Sequence, residues 1–186
     1  RARGRKTEET ETGPGRSILF SASDGLKLHA MEYGHGNREA LPVICLAGLS
    51  RNARDFDRFA TYLSEEASPR RRVVCFDYRG RGLSAYDPDW SNYNVMTEAD
   101  DLLAGMAALD IGHAAIVGTS RGGLIAMALS AIRPGAMKAV VLNDVGPELQ
   151  GNGLAAVRAS LTQLPRPKNM EEAIAIQKTA MRKAFP

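Results

Sequence analysis

Long apolar runs are missing from this 186-residue chain. Its most apolar stretches, such as Leu41 to Leu49 and Gly122 to Ile132, fall well short of the roughly 18 to 20 residues that a membrane-spanning helix needs. No transmembrane segment is expected. Cysteine is scarce too: Cys45 and Cys75 lie inside apolar, strand-like runs, where a thiol behaves as a small buried hydrophobe. Two such residues make neither a disulfide framework nor a metal site, so no metal and no cofactor are expected. An excess of one charge is also missing. The net charge is +3, and the first 16 residues carry +2 of it, five Arg/Lys against three Glu. The body is close to neutral and has no Lys/Arg stripe interleaved with aromatics, which argues against nucleic acid as a partner. The one strong basic run, Arg70-Arg71-Arg72, reads as a solvated turn before a strand. Arg1 opens the sequence without an apolar signal-like stretch, and a cytoplasmic location is the expectation.

What is present suits a globular core: 44% of the residues are hydrophobic. Residues 1–16 are charged and end at Gly13-Pro14-Gly15, which predicts a disordered tail. The runs Ser17 to Ala22 and Leu26 to Tyr33 then read as two strands joined at Ser23-Asp24-Gly25, and Asp-Gly is a strong hairpin signal. Strands are predicted at Pro42 to Leu49, Arg72 to Asp77, His113 to Val117 and Lys138 to Asn143. Between them, helical spacing predicts Asp55 to Glu65, Thr97 to Leu109 with Thr97 as N-cap, and Arg121 to Ile132 stopped by Pro134. Asn52 and Asp55 read as caps of the first of these helices. Strands alternating with helices after a hairpin imply an α/β fold with a mostly parallel sheet flanked by helices. From Gly151 onward the chain offers helical segments only, Leu154 to Leu161 and Met170 to Ala184. The organisation is therefore a core over 17–150 and a separate helical piece over 151–186.

The chemistry concentrates at Gly118-Thr119-Ser120-Arg121-Gly122. A Gly-x-Ser-x-Gly sequence between a predicted strand and a predicted helix places its serine on a sharp, strained turn, where neighbours without side chains let strand and helix approach. Ser120 is the candidate nucleophile, with Gly118 and Gly122 shaping the turn. Attack on a carbonyl needs donors for the oxyanion that forms. The Arg121 N–H, at the positive end of its helix, is one candidate. The Leu49 N–H, in the loop Ala47-Gly48-Leu49 after the preceding central strand, is the other, with Gly48 allowing close backbone approach.

These residues carry a resemblance. The blocks Ile44 to Leu49, Phe76-Asp77-Tyr78-Arg79-Gly80-Arg81-Gly82-Leu83-Ser84, Ile116 to Gly123 and Val141 to Pro147 resemble the α/β-hydrolase superfamily, in its proline-iminopeptidase-like, esterase and haloperoxidase-like branch. The resemblance covers about residues 17 to 147. It implies an α/β-hydrolase fold with the first six strands, and the start of a helical cap over 151–186. It implies an oxyanion amide from Leu49, with Ala47 standing where histidine is usual. It also gives Asp77, Arg79, Gly80 and Gly82 the role of shaping the loop beside the site. A dehalogenase or epoxide hydrolase fits less well, because such members place Asp at the nucleophile position.

A serine hydroxyl needs a base, and in this fold the acid and then the histidine follow the serine in the chain. No histidine follows Ser120. His113 begins the strand that ends at the serine turn and so lies roughly 15 Å or more away. His29 and His35 belong to the hairpin and its closing turn and read as surface residues. Asp144, after the sixth strand, is a candidate acid or else a loop residue, and Glu148 is a weaker candidate. The expectation is that this chain is the amino-terminal part of a longer serine hydrolase for small ester or amide-type acyl substrates. The last strands, the histidine and the usual acid would then lie beyond Pro186, and the piece by itself would be inactive. A non-catalytic binding module on the same scaffold is the alternative class. A C–C hydrolase, lyase or perhydrolase is not separable from an esterase by these residues. Trp90, Tyr86 and Tyr93 either line the entrance or pack their loop down.

Overall fold

The computed structural model describes residues 15–148 and 167–184. These residues belong to two units, one within Arg1–Pro147 and one within Glu148–Pro186. The predicted helix over Leu154 to Leu161 and most of the predicted tail lie outside the described residues. The tail prediction fails at its last residue: Arg16 opens the first strand, because its guanidinium pairs with the buried Glu32 carboxylate at 2.5 Å.

The first unit is a six-stranded sheet in the order β1-β2-β4-β3-β5-β6. Its strands are β1 (Arg16–Ser21), β2 (Lys27–Tyr33), β3 (Val43–Leu46), β4 (Val73–Asp77), β5 (Ala114–Thr119) and β6 (Met137–Asn143). The β1/β2 and β2/β4 pairs are antiparallel, while β4/β3, β3/β5 and β5/β6 are parallel. The hairpin turns at the predicted Asp-Gly, with the Leu26 N–H donating to Asp24 Oδ1 at 2.9 Å and Gly25 at φ +85°.

All four residues of β3 and all five of β4 are buried, as expected of central strands covered on both faces, and Asp77 is the one charged residue among them. Alternation then sorts the core. Ile44, Leu46, Val74, Phe76 and Ile116 face α2 (Val95–Ala108) and α3 (Arg121–Ile132), whereas Val43, Cys45, Val73 and Cys75 face a short helical segment over 53–66. Each large aliphatic side chain so buried contributes about 1.5–3 kcal/mol. That helical segment is less regular than its spacing predicts: a 3-10 turn (Ala53–Phe56), a short α1 (Asp57–Thr61) and a π turn (Tyr62–Glu66). Asn52 caps it by accepting the Arg54 N–H, but Asp55 is drawn away into an ion pair with Arg51 at 2.7 Å.

Two further local expectations are corrected. Helix α2 begins two residues earlier than predicted, because Asn94 is the N-cap and its side chain accepts the Thr97 N–H at 3.0 Å. Arg72 is not in a solvated turn; it is 5% exposed, donates to Glu32 Oε1 at 2.7 Å and to the Leu109 carbonyl at 2.9 Å, and so closes the strand end. In the second unit, α4 (Met170–Ala184) starts with a reciprocal cap: Asn169 Oδ1 accepts the Glu172 N–H and Glu172 Oε2 accepts the Lys168 N–H. Among the described residues no helix is long and apolar enough to cross a membrane.

Candidate functional site

The chain leaves β5 at Thr119 and enters α3 at Arg121, so Ser120 alone makes the turn. It does so at φ 49° and ψ −110°, a sparsely populated conformation that costs a residue with a side chain about 1–3 kcal/mol. The surrounding structure compensates by holding it on several sides. The Ser120 N–H donates to the Asn143 carbonyl at 2.9 Å, which ties the turn to the end of β6, and the Ser120 carbonyl accepts the Gly123 N–H at 2.9 Å. Both predicted turn glycines are sterically required. A Cβ on Gly118 would stand 2.6 Å from the Gly122 carbonyl carbon, and one on Gly122 would stand 2.1 Å from the Leu46 carbonyl oxygen.

Gly48 works differently from the expectation. A Cβ there would meet only Arg51 Cγ at 3.7 Å and Ser120 Cβ at 3.9 Å, which are ordinary contacts. Its hydrogen is therefore not needed for backbone packing. It leaves open the space directly beside the Ser120 side chain. This contact also places the loop Ala47-Gly48-Leu49 against the serine. Among the described residues, neither the Leu49 N–H nor the Arg121 N–H has an acceptor in the protein.

The loop is clamped from one neighbouring segment. The Tyr78 hydroxyl, 95% buried with its residue, donates to the Ala47 carbonyl at 2.7 Å, and Arg81 Nε donates to the Leu49 carbonyl at 2.8 Å. Burial pushes the Tyr78 phenol well above its ordinary value, so the hydroxyl keeps its proton and remains a donor. The two carbonyls on either side of Gly48 are thus fixed, which sets the direction of the Leu49 N–H without help from a side chain at Ala47. On the other side, Arg121 Nε donates to Glu98 Oε2 at 2.7 Å and its Nη2 to the Tyr93 carbonyl at 3.3 Å. Glu98 is 3% exposed, and burial holds its carboxyl above the usual range against the pull of the Arg121 and Arg81 charges.

The segment after β4 is a polar scaffold. Arg79 is 1% exposed and donates to Asp101 at 2.6 and 2.8 Å, to Asp24 at 3.0 Å and to Asp87, pinning the hairpin, the loop before α2 and α2 itself together. Asp77 accepts the Ala53 N–H at 2.7 Å and the Leu83 N–H at 3.0 Å. It also bonds His29 Nδ1 at 2.8 Å. His29 is therefore not a surface residue; it is 2% exposed, because β4 lies beside β2 in the sheet and sets His29 opposite Asp77. His35 keeps half its side chain exposed, against Glu32 and Arg16, and His113 is exposed at the opposite end of β5 from Ser120. Asp144 is exposed at φ 56°, one residue beyond the Asn143 carbonyl that holds Ser120, and Glu148 is exposed as well. No hydrogen bond joins either carboxylate to a histidine among the described residues. In the loop before α2, Trp90 and Tyr86 are 84% and 80% exposed, while the Tyr93 hydroxyl accepts the Asp87 N–H at 2.7 Å and packs its loop down.

Sequence reasoning missed Tyr78, Arg81 and Glu98. Only Glu98 left a trace: it lies one turn before Leu102 on the core face of α2, where an unpaired carboxylate is not tolerated. Among the described residues no cluster of three His, Cys, Asp or Glu side chains could hold a metal ion.

Comparison with known proteins follows the same lines. The profile of a family described as alpha/beta hydrolase fold matches residues 42–178. The chain is 36% identical, over 82% of its length and 51% of the relative's, to a protein of Cupriavidus necator named 3-hydroxybutyrate-oligomer hydrolase. It is 30% identical, over 61% of its length and 34% of the relative's, to sn-1-specific diacylglycerol lipase ABHD11 of Danio rerio. Among solved structures, an alpha/beta hydrolase from Novosphingobium aromaticivorans superimposes with a TM-score of 0.78 at 40% identity, over 90% of this chain and 57% of that one. The chain thus spans about half or less of the length of the curated relatives it matches. It belongs to the alpha/beta hydrolase fold family.

Proposed function

We propose that the chain carries the nucleophile and oxyanion half of a serine hydrolase acting on small ester or amide-type acyl substrates. The observation that carries this reading is Ser120, strained at the strand-to-helix turn with the loop Ala47-Gly48-Leu49 against it. Ser120 Oγ attacks the acyl carbon, and the amides of Leu49 and Arg121 stabilise the negative charge that develops on the carbonyl oxygen. Each such donor is worth about 2.7–4 kcal/mol in the transition state. The acyl-serine that results is hydrolysed by water. The proton-accepting histidine comes from a segment outside these residues, with Asp144 or a carboxylate outside them orienting it. The relative named 3-hydroxybutyrate-oligomer hydrolase makes short hydroxyacid esters the first substrates to try.

The test uses the full-length protein. A fluorophosphonate should modify the peptide containing Ser120, and Ser120→Ala should remove both that adduct and the hydrolysis of p-nitrophenyl and 3-hydroxybutyrate esters. An unmodified Ser120 peptide together with no ester turnover would instead support the second reading, a binding module that keeps Ser120 as a turn residue. That reading rests on the lack of a histidine near Ser120 among the described residues.

A further inference from the structure

Among the described residues, the serine with a histidine against its hydroxyl is Ser17. Strand pairing explains why. The β1/β2 register sets Leu19 opposite His29, with Ser17 one diagonal step away, and the β2/β4 register sets His29 opposite Asp77. The three side chains meet on one face of the sheet. Ser17 Oγ lies 2.9 Å from His29 Nε2, and His29 Nδ1 lies 2.8 Å from Asp77 Oδ2.

The order of burial matters as much as the distances. Asp77 and His29 are 5% and 2% exposed, whereas Ser17 is exposed. Burial would raise the Asp77 carboxyl, but the bond from His29 and the amides of Ala53 and Leu83 outweigh it and hold Asp77 below the usual carboxylate range. An ionised carboxylate only accepts, so the Nδ1–H of His29 faces Asp77, and in the neutral ring Nε2 is the acceptor that faces the Ser17 O–H. Ser84 braces the pair from behind: its hydroxyl accepts the His29 N–H at 2.9 Å and donates to the Asp77 carbonyl at 2.7 Å. These are the roles of acid, base and nucleophile, which are defined by geometry rather than by chain order.

We propose that Ser17, His29 and Asp77 form a second nucleophilic relay, separate from Ser120, at which small activated acyl or phosphonyl compounds are captured covalently. With a fluorophosphonate, Ser17 Oγ attacks phosphorus as its proton passes to His29 Nε2. The Oγ–P bond forms, the P–F bond breaks, and fluoride leaves with the electron pair. Asp77 balances the imidazolium until it releases the proton to solvent. The site is one of single capture and does not require that Ser120 react.

The experiment treats the intact protein with a fluorophosphonate, quenches at intervals and follows each serine peptide by mass spectrometry. Ser23 and Ser91 are internal references: both are exposed and hold their hydroxyls on a carboxylate, Asp100 at 2.6 Å and Asp89 at 2.7 Å, with no histidine. A base in contact is worth on the order of 10²-fold or more. The Ser17 adduct should therefore form at least about 100-fold faster than those at Ser23 and Ser91. His29→Gln should bring Ser17 down to the reference rate with an unchanged far-ultraviolet circular dichroism spectrum. Modification of Ser17 no faster than of the references overturns the proposal, as does a folded His29→Gln protein that reacts at the original rate. Should His29→Gln fail to fold, the internal comparison decides by itself.

Discussion

Replacing Tyr78 by phenylalanine removes one oxygen and tests how the candidate oxyanion loop is held. The ring stays packed in the core, so no cavity of consequence forms. What is lost is the donor to the Ala47 carbonyl, in a residue only 1% exposed. Leaving a buried acceptor without its partner costs about 1–3 kcal/mol. For a chain of this size each kcal/mol shifts the midpoint by roughly 2–4 °C, so Tm should fall by about 2–12 °C in thermal unfolding followed by circular dichroism. The kinetic effect should be selective. Arg81 still holds the Leu49 carbonyl, so the loop loosens rather than detaches, and the loss should stay below the 10²–10³-fold that follows deletion of an oxyanion donor. If the full-length protein is the ester hydrolase proposed, a fall in kcat of about 5- to 50-fold for an ester, with KM within about twofold, is the expected pattern. Unchanged kcat with a lowered Tm would refute the link from Tyr78 to the Leu49 amide. An unchanged Tm would refute the buried bond itself.

Glycine replacements should separate packing from access. Gly122→Ala drives a methyl to 2.1 Å from the Leu46 carbonyl oxygen and should prevent stable folding, seen as loss of the cooperative transition. Gly48→Ala meets nothing closer than 3.7 Å and should leave Tm within about 3 °C, while its methyl beside Ser120 slows labelling of that serine. Arg79→Met leaves Asp101, 5% exposed, without its buried counter-charge and should cost about 3–5 kcal/mol in urea unfolding. Asp77 gives a pH signature. Its folded value is depressed, so its contribution is complete above the ordinary carboxylate pKa of about 3.9 and is lost as pH falls through the folded value. The Tm difference between wild type and Asp77→Asn should therefore be largest at pH 5 to 7 and shrink below pH 4. A difference independent of pH would remove the ionised Asp77 from the account.

Much of the site's frame was legible because local rules govern it. A serine between two glycines at a strand-helix junction has few ways to turn, and the nearly continuous apolar run of β3 marks a strand buried on both faces. The polar clamps were not legible, for a reason visible in the sheet order. Hydrophobic alternation says which face a side chain takes but not which strand lies alongside. His29 read as a surface residue of a peripheral hairpin because nothing in its neighbourhood announces that β4 inserts next to β2. Tyr78 and Arg81 were hidden in the same way, since their partners are backbone carbonyls 31 and 32 residues earlier, which carry no sequence signal. Arg72 was misread because a run of three arginines looks solvated until Glu32, from the neighbouring strand, is brought beneath one of them. The lateral register of β2 against β4 thus converts residues that look like surface or loop chemistry into the chain's buried polar framework. The candidate oxyanion loop depends on it at one remove: β4 is paired to β2 on one side and to β3 on the other, and the segment leaving it supplies the hydrogen bonds to the Ala47 and Leu49 carbonyls. Damage to the hairpin, far from Ser120 in the sheet, should consequently reach the serine through Tyr78 and Arg81 before it reaches the serine turn itself.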